Sequence, residues 1–354
     1  MCKYYDNLNP EVKAYFKILS EEFPSWLEEY INTPEMKRIG LISMSCGTDY
    51  SKCFNVRYFY SNLDHSVGVA LIIWNFTHDK KQALAGLFHD IATPVFKHCI
   101  DFMNGDSEHQ ESTEEGTVEM INNSKEIMSL LKRDGISLED VCDYKKYPLA
   151  DNDSPRLSAD RFEYTFSSGL TFYRIWELNE IKKVYNNIDI CTNESGDIEL
   201  CFIDKDICNF YIKTVSHLWP QWISDKDRTL MQFFADMCSS LNKIGKLSID
   251  ELYSLSEKEV ISKFENDSDD YLRRVWNDFK KCRVCHSSDH LIKGKYCINV
   301  KSKARYVNPL VLINDKPIRI YDASKRSKNY IDKFLSLPRG GNYTYFNFEF
   351  TPYK

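Results

Sequence analysis

Five of the eight histidines in this 354-residue chain, His65, His78, His89, His98 and His109, fall within residues 65–109. The stretch around them is rich in apolar runs, so a fold that buries those runs must also find partners for the imidazoles and the carboxylates beside them. The most constraining pair is His89-Asp90, at the end of the apolar stretch Leu84-Ala85-Gly86-Leu87-Phe88. A carboxylate there leaves water only with a partner or a metal ion. A neutral imidazole and the next residue's carboxylate both offer lone pairs from one helix end, a suitable ligand pair for one divalent ion among Mn, Fe, Zn, Ni, Co and Mg. Two further ligands must come from elsewhere: His65 starts the preceding apolar helix, and Asp160 lies in a helical segment far downstream. A second pair, His78-Asp79, sits in the polar run Thr77-His78-Asp79-Lys80-Lys81 and reads as a solvated loop.

Composition narrows the class. With 43% hydrophobic and 28% charged residues, 13 Gly and 11 Pro, the chain is neither collagen-like, low-complexity nor disordered, and it is long enough for one large core or two smaller ones. No apolar run reaches the ~18 residues of a membrane-spanning helix, and the start of the chain lacks an apolar signal core. The 12 cysteines are scattered, which predicts free thiols and a cytoplasmic protein. The net charge of −6 conceals an asymmetry: residues 291–330 carry ten Lys/Arg against Asp315 and Asp322, or +8, leaving −14 for the remainder. Such a segment is either a solvated face or a surface for nucleotide phosphates or nucleic acid.

Apolar spacing predicts helices over 10–31, from Pro34 to about Gly47, over 65–76 and 81–92, from Pro94 to about Met103, over 112–133 and 137–144, and around Asp160–Phe166. A β-hairpin is predicted over 188–202, helices again from 205 to 281, and a more β-like chain beyond. This predicts a mainly α fold: a helical domain over 1–180, its hairpin-plus-helix extension over 181–281, and a small β-rich α+β region over 282–354.

His65, His89-Asp90 and Asp160 together resemble the H…HD…D metal signature of the HD-domain phosphohydrolase superfamily, closest to its deoxynucleoside triphosphate triphosphohydrolase-like branch. Ile31-Asn32-Thr33-Pro34-Glu35-Met36 is similar to an early helix start of that branch. His98, Asp101 and His109 fall where the branch has a His, an Asp and a further His. Tyr164 matches its D-x-x-D-Y pattern, with Glu163 replacing the second Asp, and Arg305–Pro309 is similar to a late β-segment. The resemblance implies an HD helical bundle, one divalent ion on His65, His89, Asp90 and Asp160, a nucleotide-like substrate and a homo-oligomer.

Physical chemistry accommodates those assignments. An ion on these four groups keeps positions open for water and a phosphate oxygen. His98 and Asp101, three apart, share a helix face, so the carboxylate orients the imidazole for proton transfer, with His109 nearby. Arg161 and Tyr164 follow Asp160 and are candidates for phosphate contact; Lys97 is expected to point away from His98. The branch's Arg-Phe before its first metal His is Asn62-Leu63 here, which removes a bidentate phosphate fork; Arg57 is a candidate replacement. Gly-His-Gly-Pro after HD becomes Ala92-Thr93-Pro94-Val95. The expected activity is therefore metal-dependent hydrolysis of a phosphate ester or anhydride, of a nucleotide or deoxynucleotide; the alternative is a nucleotide- or nucleic-acid-binding regulatory protein with little turnover. Cys282, Cys285, His286, His290 and Cys297 have the density of a zinc site but irregular spacing, and read rather as reduced thiols and turn residues.

Overall fold

Ser61 opens the central helix, Asn62–Thr77, with a reciprocal cap: its hydroxyl accepts from the Asp64 N–H at 3.0 Å, and the Asp64 carboxylate accepts from the Ser61 N–H at 2.8 Å. This computed structural model describes residues 3–110, 112, 116–266 and 270–353. Residues 62–73 of that helix are buried without interruption, as expected of a helix that runs through a core rather than over it. It ends at His78, in the left-handed region (φ 51°), and Asp79 caps the next helix, Lys80–Phe88, by accepting from the Lys81 and Gln82 N–H groups. His78-Asp79 is thus the corner between two helices, with His78 exposed. Helices Pro10–Leu19 and Ala159–Thr171 pack against the central one.

Several expected helices are shorter than their apolar patterns. The one opening at Pro34 stops at Ile39, before Gly40. Residues 137–144 hold only the 3₁₀ turn Leu138–Asp140 and the start of a second, Tyr144–Lys146. The helix expected from Pro94 begins only at Cys99, because Phe96 and Lys97 take φ of 64° and 46°. That left-handed turn cannot belong to a right-handed helix.

The hairpin is present as strands β1 (Ile188–Thr192) and β2 (Ile198–Phe202), and the later strands are β3 (His286–Ser288), β4 (Tyr296–Ile298), β5 (Leu310–Ile313), β6 (Lys316–Arg319) and β7 (Tyr343–Phe346). Sheet order is β1-β2-β5-β6, with β2 and β5 parallel, and β3-β7-β4, fully antiparallel. The hairpin is therefore half of a four-stranded sheet completed by chain about a hundred residues later. Helices Lys205–Val215, Asp225–Lys243 and Asp270–Lys281 lie between. The fold is mainly α with an α+β C-terminal region, as predicted. The thiol expectation needs one correction: Cys191 and Cys201 form a disulfide. They sit diagonally on one face of the hairpin, where the register pairs Cys191 with Glu199 and Asp189 with Cys201.

Buried apolar residues form two clusters. One surrounds the central helix and the larger sheet; the other joins Val95–Phe102 to the helices of 225–281 and the smaller sheet. Among the described residues no helix is long and apolar enough to cross a membrane.

Candidate active site

A cavity of about 210 Å³ lies where the two apolar clusters meet. His65 enters it from the first turn of the central helix and His89 from the C-terminal cap of Lys80–Phe88. Asp160 enters from the first turn of Ala159–Thr171. Their ligand atoms lie within 4.8 Å of one another. His65 Nε2 is 3.1 Å from Asp160 Oδ1 and 3.2 Å from His89 Nε2. Both other ring nitrogens are engaged: His65 Nδ1 donates to the buried Glu163 carboxylate, and His89 Nδ1 donates to the Gly86 carbonyl at 2.7 Å. Each Nε2 is thereby turned toward the same point as Asp160 Oδ1.

Glu163 is the residue behind His65. It is fully buried and also accepts from the hydroxyls of Tyr60 (2.6 Å), Tyr15 (3.2 Å) and Ser167 (3.1 Å). It fits only because residue 68 is glycine; a Cβ there would stand 2.8 Å from Glu163 Cγ. Burial alone would lower the His65 imidazole, but the Glu163 and Asp160 carboxylates outweigh it and hold the pKa at about 10. Burial opposes charge on Asp160 as well, yet the His65 hydrogen bond keeps its pKa below the usual carboxylate range. Without an ion, a proton on His65 Nε2 lies between the lone pairs of Asp160 and His89, where a cation would be held. Two imidazoles and a carboxylate around one point, with a carboxylate behind one imidazole, fit a divalent transition ion or zinc.

The fourth expected ligand is not grouped with the other three. Asp90 Oδ2 lies 3.6 Å from His89 Nε2 but is paired with Lys97 Nζ at 2.7 Å, and Asn62 Oδ1 also accepts from that ammonium. Burial would raise the Asp90 pKa; Lys97, with His89 and His65, holds it well below the usual range. Lys97 was expected to point away because a helix was expected through it. The left-handed turn at 96–97 instead aims it into the cavity.

His98 and Asp101 pair as predicted, Nδ1 donating to Oδ2 at 3.0 Å, with Asp101 fully buried and its Oδ1 accepting from the Ser112 hydroxyl at 2.7 Å. Burial, helped by Arg305 and Lys97, lowers the His98 pKa despite Asp101. Its Nε2 accepts from Arg305 at 3.3 Å, and Arg305 is steadied by the Gln110 side-chain oxygen at 2.7 Å. Tyr164, one helical turn after Asp160, lines the cavity beside Trp222 (rings 5.4 Å apart).

Three expected residues stand elsewhere. His109 is 80% exposed and pairs with Asp106 at 3.2 Å. Arg161 is adjacent to Asp160 and so about 100° round the helix; it binds Asp151 at 2.9 Å and the Arg156 carbonyl at 2.7 Å, outside the cavity lining. Arg57 pairs with Glu11 at 2.8 Å. Of the basic segment, Lys303 and Arg305 line the cavity, whereas Arg319 is turned to Glu199 and Glu194. Arg305 and Asp227, both on the cavity wall, were missed as site residues, since only long-range folding brings them there. Glu163 had one usable sequence signal, its spacing of three from Asp160. The cysteine-histidine string of 282–297 does not converge: His286 accepts from the Asn347 amide at 2.9 Å, His290 pairs with Asp289, and Cys285 lies against Thr229 at 3.4 Å.

The fold is shared with a solved phosphohydrolase. The chain superposes on a phosphohydrolase from Bacteroides thetaiotaomicron with a TM-score of 0.62 at 12% identity, covering 92% of this chain and 96% of that one. It also superposes on a hypothetical protein from Aquifex aeolicus, with a TM-score of 0.61 at 14% identity, covering 91% and 92%. In sequence it is 20% identical over 329 residues to the uncharacterized protein YdhJ of Bacillus subtilis, spanning 90% of this chain and 93% of the relative. It is 22% identical over 246 residues, 66% of each chain, to the metal-dependent phosphohydrolase cns2 of Cordyceps militaris. No protein-family model matches the chain.

Proposed function

We propose that this chain is an HD-type metal-dependent phosphohydrolase that cleaves a phosphate ester or anhydride of a nucleotide. The observation that carries the reading is the convergence of His65 Nε2, His89 Nε2 and Asp160 Oδ1 on one point of a cavity. The phosphohydrolase names of cns2 and of the Bacteroides structure support it. His65, His89 and Asp160 would hold the ion, with Asp90 beside them. When bound, a divalent ion polarises the phosphoryl group and makes its water more acidic.

The chain's own residues supply the rest. His98, with its pKa lowered, presents a neutral Nε2 that accepts the proton of the attacking water, while Asp101 fixes the opposite N–H and favours the imidazolium that results. Arg305, already donating toward His98 Nε2, is placed to take a phosphate oxygen as the water replaces it at the imidazole. Lys97 supplies positive charge that Asp90 balances, so it holds the Asp90 carboxylate beside the three ligands rather than binding phosphate. With Arg57 and Arg161 committed elsewhere, few cations face the cavity. That favours one or two phosphates over three, so the triphosphohydrolase-like branch is the resemblance and not the activity proposed.

A second reading, a nucleotide-binding protein with little turnover, draws on the Lys97–Asp90 pair, which competes with an ion for the fourth carboxylate. Chromatographic analysis of the products from nucleoside mono-, di- and triphosphates and from cyclic and linear dinucleotides, each with Mn, Co, Ni, Fe, Zn and Mg, separates the two. Turnover of mono- or diphosphates with at least one ion is expected. Binding without turnover under every ion would establish the second reading instead.

A further inference from the structure

Outside the ligand cluster the cavity wall is largely apolar, with Phe54, Val56, Tyr173, Trp222 and Met231. One carboxyl interrupts it. Asp227 is the third residue of helix Asp225–Lys243, a turn before Met231, and both line the cavity. At this position an acidic side chain ordinarily closes a reciprocal cap, as Asp64 does. Here the Ser224 hydroxyl accepts from the Asp227 N–H at 3.2 Å, while the Ser224 N–H goes to the Gln221 carbonyl. The Asp227 carboxylate is left for the cavity, and among the described residues it accepts no hydrogen bond and forms no ion pair. Burial pushes its pKa up to about 7, against the pull of Lys226 and Arg305. A half-buried carboxyl that faces a cavity without a donor from the protein is an open acceptor, and a bound group that brings a donor completes it.

The surroundings narrow what that group is. Tyr173 stands edge-on to Phe54 with ring centroids 6.3 Å apart, and Lys226 Nζ covers the Phe54 ring at 3.8 Å. Aromatic walls favour a flat ring. A cationic amine is disfavoured, because Lys226 and Arg305 already surround the carboxyl with positive charge. A neutral N–H edge is not.

We propose that Asp227 selects the leaving group, accepting a hydrogen bond from a ring N–H or exocyclic amino N–H of a heteroaromatic base seated against Tyr173 and Trp222. The inference rests on the phosphohydrolase reading for its phosphate end, and Asp227 acts as a specificity residue rather than in the proton transfers. Guanosine, adenosine and purine riboside 5′-monophosphates share sugar and phosphate, but purine riboside lacks N–H donors on its base.

Calorimetric titration of chelator-treated protein with all three tests the assignment without turnover. At least one donor-bearing nucleotide is expected to bind about 10- to 100-fold more tightly than the purine riboside nucleotide. Asp227→Leu should erase the ratio, and Asp227→Asn, which keeps an acceptor oxygen, should give an intermediate one. Equal binding of all three by the wild-type protein, binding of none, or a ratio that survives Asp227→Leu would overturn it. If the ratio depends on Asp227 while no metal-loaded sample hydrolyses any of the nucleotides or dinucleotides, the hydrolytic reading fails and this one stands.

Discussion

His65 is held from behind by a chain of buried hydrogen bonds. Glu163 fixes its Nδ1, and the hydroxyls of Tyr15, Tyr60 and Ser167 fix Glu163. Partners of this kind orient a ligating imidazole and raise its basicity, and their loss costs metal affinity about 10- to 100-fold. Glu163→Gln should therefore weaken metal binding by that factor in a chelator competition, because an amide is uncharged and must aim either an oxygen or an NH₂ at His65. An unchanged affinity would show that Glu163 is only core packing. Lys97 makes the complementary point. Its ammonium neutralises Asp90 within a buried pair, so the cavity holds less net positive charge than its cation count suggests.

At the scale of elements, the site depends on how closely helices Asn62–Thr77 and Ala159–Thr171 approach. Gly68 permits it, since a Cβ there would meet Glu163 Cγ at 2.8 Å and Oε1 at 2.9 Å. Gly68→Ala gains ~1 kcal/mol of helix propensity but forces a fully buried carboxylate off its hydrogen bonds, which costs more. A net loss of about 1–3 kcal/mol in unfolding free energy, read from denaturant titration, is expected, together with weaker metal binding. A stabilised variant would mean that the helices can separate freely.

What was legible in sequence follows from the range of the forces involved. The HD pair at an apolar helix end, the helical start at His65 and the i,i+3 pair of His98 and Asp101 are local, and periodicity exposes them. Lys97 was misjudged because two left-handed residues, Phe96 and Lys97, interrupt an apolar pattern that reads as helix. His109 and Arg161 share the histidine window and the Asp160 helix, but their side chains find nearer partners in Asp106 and Asp151. Arg305 and Asp227 reach the cavity through sheet pairing and helix packing more than a hundred residues from the histidines, which no local pattern records.

For the whole molecule, the cavity at the meeting of two apolar clusters couples metal binding to protons. The His65 pKa is raised to about 10 in the ion-free protein, so an ion that takes His65 Nε2 must displace a proton at neutral pH. Affinity should rise with pH, by up to tenfold per unit between about 7 and 10, and flatten above the His65 pKa. Calorimetry in buffers of different ionisation enthalpy reads the proton released. In the ion-free protein the stability contributed by charged His65 has the opposite sign: it is present in full below about 6.5 and is lost as pH rises toward 10. A metal affinity independent of pH over that range would place the ion elsewhere.

The most direct measurement is elemental analysis of wild-type and His89→Ala protein after equilibrium dialysis against Mn and removal of free ion. About one ion per wild-type chain, lost in His89→Ala while the variant keeps its helical circular dichroism, is the predicted result. Undiminished metal in a folded His89→Ala protein would contradict the assignment of His65, His89 and Asp160 as the metal centre.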